Sequence, residues 1–415
     1  MSCKNNNSQE DNKAGGSVES SKDSLLEKTR PDGSFSGDLN FLRKYDPDLI
    51  VLQQKGDSSA QVIVSPAYQA KVFTSTANGL QGKSFGWVNY KAFSGEKDPH
   101  MNAYGGENRL WLGPEGGKFS LFFAAGKPMV FENWKTPAGF DSEPWNLVKK
   151  EQDNVTMDKK MALTNYAGTA LSLSIERTIR LLTPAQIDNT TGLALQKESS
   201  ELKAVAYISE NKLTNTGKQA WNEKTGMPCL WILDMFNPSP STVIVVPFKE
   251  TPEKDFAAVA TTDYFGAIPA DRLKHNSHIL YLKADGKSRG KLGVVPNKAK
   301  DWIGSYAADT KVLTLLHFDI EPASKYLNQE WNTEKPTFSG DAVNAYNDGP
   351  LEDGSQMGPF YEMESVSPAA FLAPGNTLLH QQSVYHFTGS EKDLNTIALK
   401  CLGVSLADIK SAFGK

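Results

Sequence analysis

The sequence predicts an all-β fold, a large antiparallel sandwich with short peripheral helices, and three observations carry that prediction. Apolar and polar residues alternate with period two in many short runs, the runs are separated by Gly-, Asn- and Asp-containing turn clusters, and helical spacing is scarce. Successive side chains of a strand point to opposite faces, so alternation is what a strand with one buried and one wet face requires. The composition agrees. The chain has 415 residues, of which 39% are hydrophobic, 10% aromatic and 22% charged, with 33 Gly and 22 Pro to supply turns.

The elements follow in chain order. Residues 1–33 are Asn, Ser, Lys, Glu, Asp and Gly with almost no large apolar side chain, a composition that cannot offset the entropy of ordering, and they read as a tether. A short helix is expected near Leu39 to Lys44. Strands are expected at 49–52, 61–64, 71–76, 119–124, 171–180, 204–208, 242–247, 278–282, 312–320, 360–365 and 383–388, with turns such as Asn215-Thr216-Gly217 and Ala284-Asp285-Gly286 between them. In the run 171–180 the odd positions are apolar except Arg177, which makes that residue a candidate ligand contact. At the end, Ser390 caps a helix whose Leu394, Ile397, Ala398 and Leu402 share one face until Gly403 stops it, and Ser405 with Asp408 restarts a second. No repeat and no composition shift divides residues 34–415, which read as one β body.

Function classes narrow with charge. Lys and Arg number 44 against 48 Asp and Glu, a net charge of −4, so there is no electrostatic case for nucleic acid. No apolar stretch reaches the roughly 20 residues a membrane helix needs. Cys3, Cys229 and Cys401 are odd in number and far apart, which gives neither a disulfide framework nor a metal cluster. Cys3, after a small residue and before a polar tail, suits the lipidation site of a trimmed bacterial lipoprotein. The expected location is then the cell envelope, periplasmic or on the outer membrane, with the membrane met only through a lipid anchor.

Three segments could carry chemistry. In Gly105 to Gly117, two glycine pairs bracket a short strand bearing Glu107, Asn108, Arg109, Trp111 and Glu115: backbone free to approach a ligand, beside carboxylate, amide, guanidinium and indole groups that suit a sugar. Trp134 and Trp145, in a loop-like stretch, are further candidate platforms. His317 stands with Asp319 at the end of an apolar strand and could act as a general acid. Glu362 and Glu364 share a face, and two carboxylates that close raise one pKa and make a base. His275 and His278 lack a third metal ligand, and no cofactor fingerprint is present, so neither metal nor cofactor is expected.

At these motifs a resemblance emerges. Tyr361 to Pro368, then Leu372-Ala373-Pro374-Gly375-Asn376, then Ser383 to Phe387 resemble the closing strands of the galactose mutarotase-like (aldose 1-epimerase-like) superfamily. Gly105 to Glu115 is similar to the GG-x-x-R-L-W-x-x-P-E segment of its bacterial branches, and Leu213-Thr214-Asn215-Thr216 to its mid-chain turn. The resemblance implies a β supersandwich and a mono- or oligosaccharide ligand. It also implies a glutamate, Glu364 or Glu362, that takes the proton from the C1 hydroxyl, with a histidine that protonates the ring oxygen. The family's histidine follows that mid-chain turn; here the stretch Met227 to Phe236 holds none, which leaves His317 as the candidate acid. The alternative is a non-catalytic glycan-binding lipoprotein.

Overall fold

The computed structural model describes residues 32–194 and 201–414. Helix α1 (Phe35–Leu42) is followed by β1 (Ile50–Gln54), β2 (Asp57–Ser65), β3 (Lys71–Thr76) and β4 (Arg109–Gly113). Next come β5 (Asn146–Lys150), β6 (Asn154–Thr164), β7 (Ala170–Leu181), helix α2 (Pro184–Thr191) and β8 (Lys203–Asn215). The chain continues through β9 (Cys229–Phe236), β10 (Thr242–Pro247), β11 (Ala260–Thr261), β12 (Leu273–His275), β13 (Ile279–Lys283) and β14 (Gly290–Val294). It closes with β15 (Trp302–Ala307), β16 (Val312–Phe318), β17 (Val343–Asn347), β18 (Tyr361–Val366), β19 (Thr377–Thr388), α3 (Glu391–Leu402) and α4 (Leu406–Ser411).

The fold is all-β. The strands form a three-stranded sheet (β1-β2-β3), a ten-stranded sheet (β12-β13-β10-β15-β16-β19-β8-β7-β6-β5) and a six-stranded sheet (β11-β14-β17-β18-β9-β4). Neighbours pair antiparallel throughout. The two large sheets face each other across the main core, into which Leu173, Ile175, Leu213, Leu316 and Val384 project from one side and Leu110, Ile232, Ala345 and Met363 from the other. β3 also lies against β4: the amides of Val72 and Asn108 each donate to the other's carbonyl at 3.1 Å, so β3 continues the six-stranded sheet by one strand.

The helices close the outer faces. α3 begins on Ser390, whose hydroxyl accepts from the Asp393 amide, and ends on Gly403 at φ +72°. Its Leu394, Ile397, Ala398 and Leu402 pack with α4 and α2 on Leu313, Leu315, Tyr385 and Phe387, the outer side chains of the ten-stranded sheet. α1 starts four residues earlier than the spacing suggests, at Phe35, and buries Phe35, Leu39 and Leu42 against Ile63 and Phe73. α2 has the signature of a start, a capping box from Thr183 and Gln186 with Pro184 in the first turn, but only Ile187 and Thr191 are buried, too short a stripe for periodicity to reveal.

Residues 119–124 are not a strand. They turn and bend between the covering loops, and Phe119, Leu121, Phe122 and Phe123 are all buried, because a segment enclosed on every side has no wet face to impose alternation. β5 is exposed along its length and forms the free edge of the ten-stranded sheet, with a register shift between Leu147 and Lys149. No helix among the described residues is long and apolar enough to cross a membrane. Cys3, and all but the last two residues of the expected tether, lie outside the described residues.

Candidate functional site

Cross-strand partners share a face, so register alone gives the make-up of the outer side of the six-stranded sheet. One row runs Arg109, Leu233, Glu364, Asn344, Gly293 from β4 to β14. The next runs Met235, Glu362, Tyr346, Lys291, and a third holds Trp111, Trp231 and Val366. The alternate residues of β18 point to the ten-stranded sheet: the Tyr361 hydroxyl meets Ser305 Oγ at 2.8 Å and Ser365 Oγ meets His380 Nε2 at 2.8 Å.

Two buried ion pairs cross this face. Arg109 Nη2 donates to Glu362 Oε1 at 2.5 Å. Lys291 Nζ donates to both oxygens of Glu364 at 3.1 and 3.0 Å, and Trp231 Nε1 adds a third bond to Glu364 Oε2 at 2.9 Å. Arg109, Glu362, Glu364 and Lys291 are all buried. Burial lifts the Glu362 carboxyl to about 7, with Arg109 opposing and the neighbouring Glu364 adding to the rise. Charges taken out of water in this way often stabilise a fold less than apolar residues of equal volume would, so the two pairs are a poor device for stability alone.

Loops cover the face closely. At Gly293 an added Cβ would lie 2.1 Å from Asp341 Oδ2, so the position admits glycine alone while Asp341 stays where it is. The Tyr264 hydroxyl donates to the same Asp341 oxygen at 2.6 Å, and burial pushes the Asp341 carboxyl up to about 6. Trp331 Nε1 donates to Glu115 Oε1 at 3.0 Å, and the Glu115 carboxyl is raised by burial. Phe131, Trp134 and Trp331 form an offset stack with centroids 6.1 and 6.0 Å apart, and Phe131 and Trp331 are exposed at its ends. Among the described residues, four buried atoms here have no hydrogen-bond partner: Arg109 Nε, Asn344 Oδ1, Asp341 Oδ1 and Trp134 Nε1, the last close to Glu115 but outside bonding geometry.

The structure therefore gathers Glu362, Glu364, Arg109, Trp111, Glu115 and Trp134 of the sequence-derived set around one face. It does not bring the others there. Glu107, Asn108 and Arg177 lie between the sheets, fully buried: Asn108 Nδ2 donates to Asp234 at 2.6 Å, Arg177 to Asn211 at 2.5 Å and to Asn108, and Glu107 meets Ser75 at 2.7 Å and His386 at 3.0 Å. For Asn108 the reason is alternation, which sends it to the side opposite Arg109; Glu107 lies ahead of β4, where its amide donates to the Phe73 carbonyl at 3.1 Å. His317 sits on the helix-covered face of the ten-stranded sheet, half-buried, with Asp301 Oδ2 at 3.5 Å and its ring against Trp302. It has the parity of Leu313 and Leu315, so both sheets lie between it and Glu364. Trp145 is buried and donates to the Gly139 carbonyl at 2.9 Å.

Sequence reasoning missed Lys291, Trp231, Asn344, Asp341 and Lys71. Lys291 puts a charge inside the otherwise uncharged strand β14, a signal that was available; Lys71, at the first position of β3, and the loop residue Asp341 gave none. Among the described residues no three His, Cys, Asp or Glu side chains gather as a metal ligand set. Cys229 is buried beside Gln329, and burial pushes its thiol up to about 12.

A family of unknown function (DUF6786) has a sequence profile that matches residues 33–413. No relative among curated proteins matches. Similar solved structures include the Slr1438 protein of Synechocystis sp. PCC 6803, at 12% identity over 82% of this chain and 96% of that one, TM-score 0.49. A galactose mutarotase-like protein of Lactobacillus casei follows at 11% identity over 81% and 99%, TM-score 0.43. A galactose mutarotase related enzyme of Lactobacillus acidophilus has 8% identity over 82% and 97%, TM-score 0.42.

Proposed function

Since the chain belongs to the DUF6786 family of unknown function, its activity has to be read from its own residues, and we propose that it is a carbohydrate-active protein that binds an aldose on the outer face of the six-stranded sheet and exchanges its anomers. The observation that carries this reading is the pair of buried, cation-held carboxylates beside donors and an acceptor that no protein group satisfies. Sugar hydroxyls both donate and accept, so one ligand can serve Arg109 Nε, Trp134 Nε1 and Asn344 Oδ1 together. The indoles of Trp111 and Trp231, packed edge to face at 5.7 Å, offer an apolar surface for the ring carbons.

Glu362 is the better base of the two glutamates. Glu364 is fixed by three hydrogen bonds and Glu362 by one, and a carboxyl that titrates near neutrality can take a proton and return it. In the step, Glu362 takes the C1 hydroxyl proton, C1 becomes an aldehyde carbon as its bond to the ring oxygen breaks, and that oxygen gains a proton. Rotation about C1–C2 and the reverse step give the other anomer. Anomer exchange followed by NMR on glucose, galactose and short oligosaccharides tests this: exchange should be faster than buffer alone, and Glu362→Gln should lose it while still binding.

A second reading, a glycan-binding protein without catalysis, is favoured by the stack ending in exposed Phe131 and Trp331, the kind of surface on which sugars rest. Saturable binding without exchange on any sugar would select it. We further propose that Cys3 is lipidated and holds the protein at a bacterial cell envelope; mass spectrometry of the protein from its native membrane fraction tests this.

A further inference from the structure

Ring opening needs a proton for the ring oxygen, and His317, on the far side of the other sheet, cannot give it. Lys71 begins β3 and is the cross-strand neighbour of Arg109, because Val72 bridges Asn108. That register puts Lys71 on the same face as Arg109, Glu362 and Glu364. Its stem runs over Gly106, where an added Cβ would lie 2.5 Å from Lys71 Cδ and 3.2 Å from Arg109 Cγ. Gly106 in turn pairs with β9, accepting from the Met235 amide at 3.1 Å, and Met235 is the strand neighbour of Glu362. Lys71, Arg109 and Glu362 therefore converge over one glycine and one methionine.

The amine has an unusual setting. Lys71 is buried, and its amine lies over the rings of Phe73 and Tyr104 at 5.4 and 5.6 Å and makes no ion pair or hydrogen bond to any described residue. A buried lysine that forms no ion pair is costly to keep, since lysine is almost never fully buried unless paired. The groups that face it are Arg109 from β4 and, from the covering loops, Tyr104 and Asp141; Asp141 is itself engaged by Asn102 at 2.7 Å.

We propose that Lys71 is a catalytic residue, the group that delivers the proton to the ring oxygen of the bound aldose while Glu362 removes the proton from the C1 hydroxyl. This rests on the anomer-exchange reading. The ammonium N–H bond breaks as the O–H bond forms on the ring oxygen; the pair of electrons from C1–O stays on that oxygen, and ring closure returns the proton to the amine. No oxidant, metal or cofactor is required. Burial, reinforced by the Arg109 charge, brings the amine down to about 7, where it can exchange a proton at neutral pH.

The test is anomer exchange by wild type, Lys71→Met and Lys71→Ala, with folding checked by circular dichroism. Lys71→Met should lower kcat by roughly 100-fold or more with KM within about threefold, and should abolish the fall in kcat on the alkaline side of neutrality. Methylamine should restore part of the rate in Lys71→Ala, which a merely structural lysine would not allow. If Lys71→Met keeps its kcat within about threefold while Glu362→Gln loses it, the lysine assignment fails and the anomer-exchange reading stands. If wild type exchanges no aldose, both fail. Should the variants not fold, the wild type still decides: a kcat without an alkaline limb overturns the assignment.

Discussion

Replacing Lys71 with Met removes a buried titration and leaves the stem between Phe73 and Tyr104 in place. In the folded chain burial brings the Lys71 amine down to about 7, against an ordinary lysine value of 10.5. Between those values the unfolded chain holds a proton that the folded chain has released, so the lysine makes stability rise with pH by about 1.4 kcal/mol per unit. The contribution is full above about pH 10, is lost as pH falls through the window, and is gone below about 7, a total of order 5 kcal/mol. Methionine has no such term. The stability of Lys71→Met relative to wild type should therefore shrink by about 2–3 kcal/mol between about pH 7.5 and 9.5. Urea unfolding of both proteins at matched pH measures this, and taking the difference cancels every other group that titrates alike. Parallel stability curves across that range would refute the buried, unpaired amine.

Other substitutions probe the rest of the frame. Gly106→Ala should cost stability and disorder the site together, since φ is +129° and the new methyl meets the Lys71 stem; a thermal melt and a sugar titration would both shift. Arg177→Leu removes the guanidinium that serves Asn108, Asn211 and the Ala70 carbonyl, leaving the side-chain oxygens of Asn108 and Asn211 without a donor; by analogy with broken buried pairs, about 3–5 kcal/mol should be lost in denaturant unfolding. Ser390→Ala should cost about 1 kcal/mol by the same assay, through the lost cap of α3, without changing sugar binding.

The fold was more legible than the site. Alternation in β7 and the cap-to-glycine pattern of α3 are local signals, and the structure contains both elements where those signals stand. Loops hide their packing, as Phe119 to Phe123 show. The site was half legible. Glu362 and Glu364 could be paired from a strand's parity, and Arg109 with Trp111 likewise. What periodicity cannot show is which face of a doubly buried strand looks at a ligand. Asn108 and Arg109 are neighbours in sequence and point to opposite sides of the six-stranded sheet, one into a structural network and one to Glu362. Lys291 reaches Glu364 only because β14, β17 and β18 lie side by side, a long-range fact of topology.

The exposed edge strand β5 bears on how the protein behaves in concentrated solution. Leu147 and Val148 are 50% and 55% exposed there, next to a row of backbone groups with no strand beyond them. Such an edge is a template for a second copy, and the adjacent Lys149 and Lys150, with the local shift in register, are the features that oppose it. Self-association through this edge should thus increase when the lysine charges are screened by salt or removed by acetylation, independently of anything bound at the sugar face.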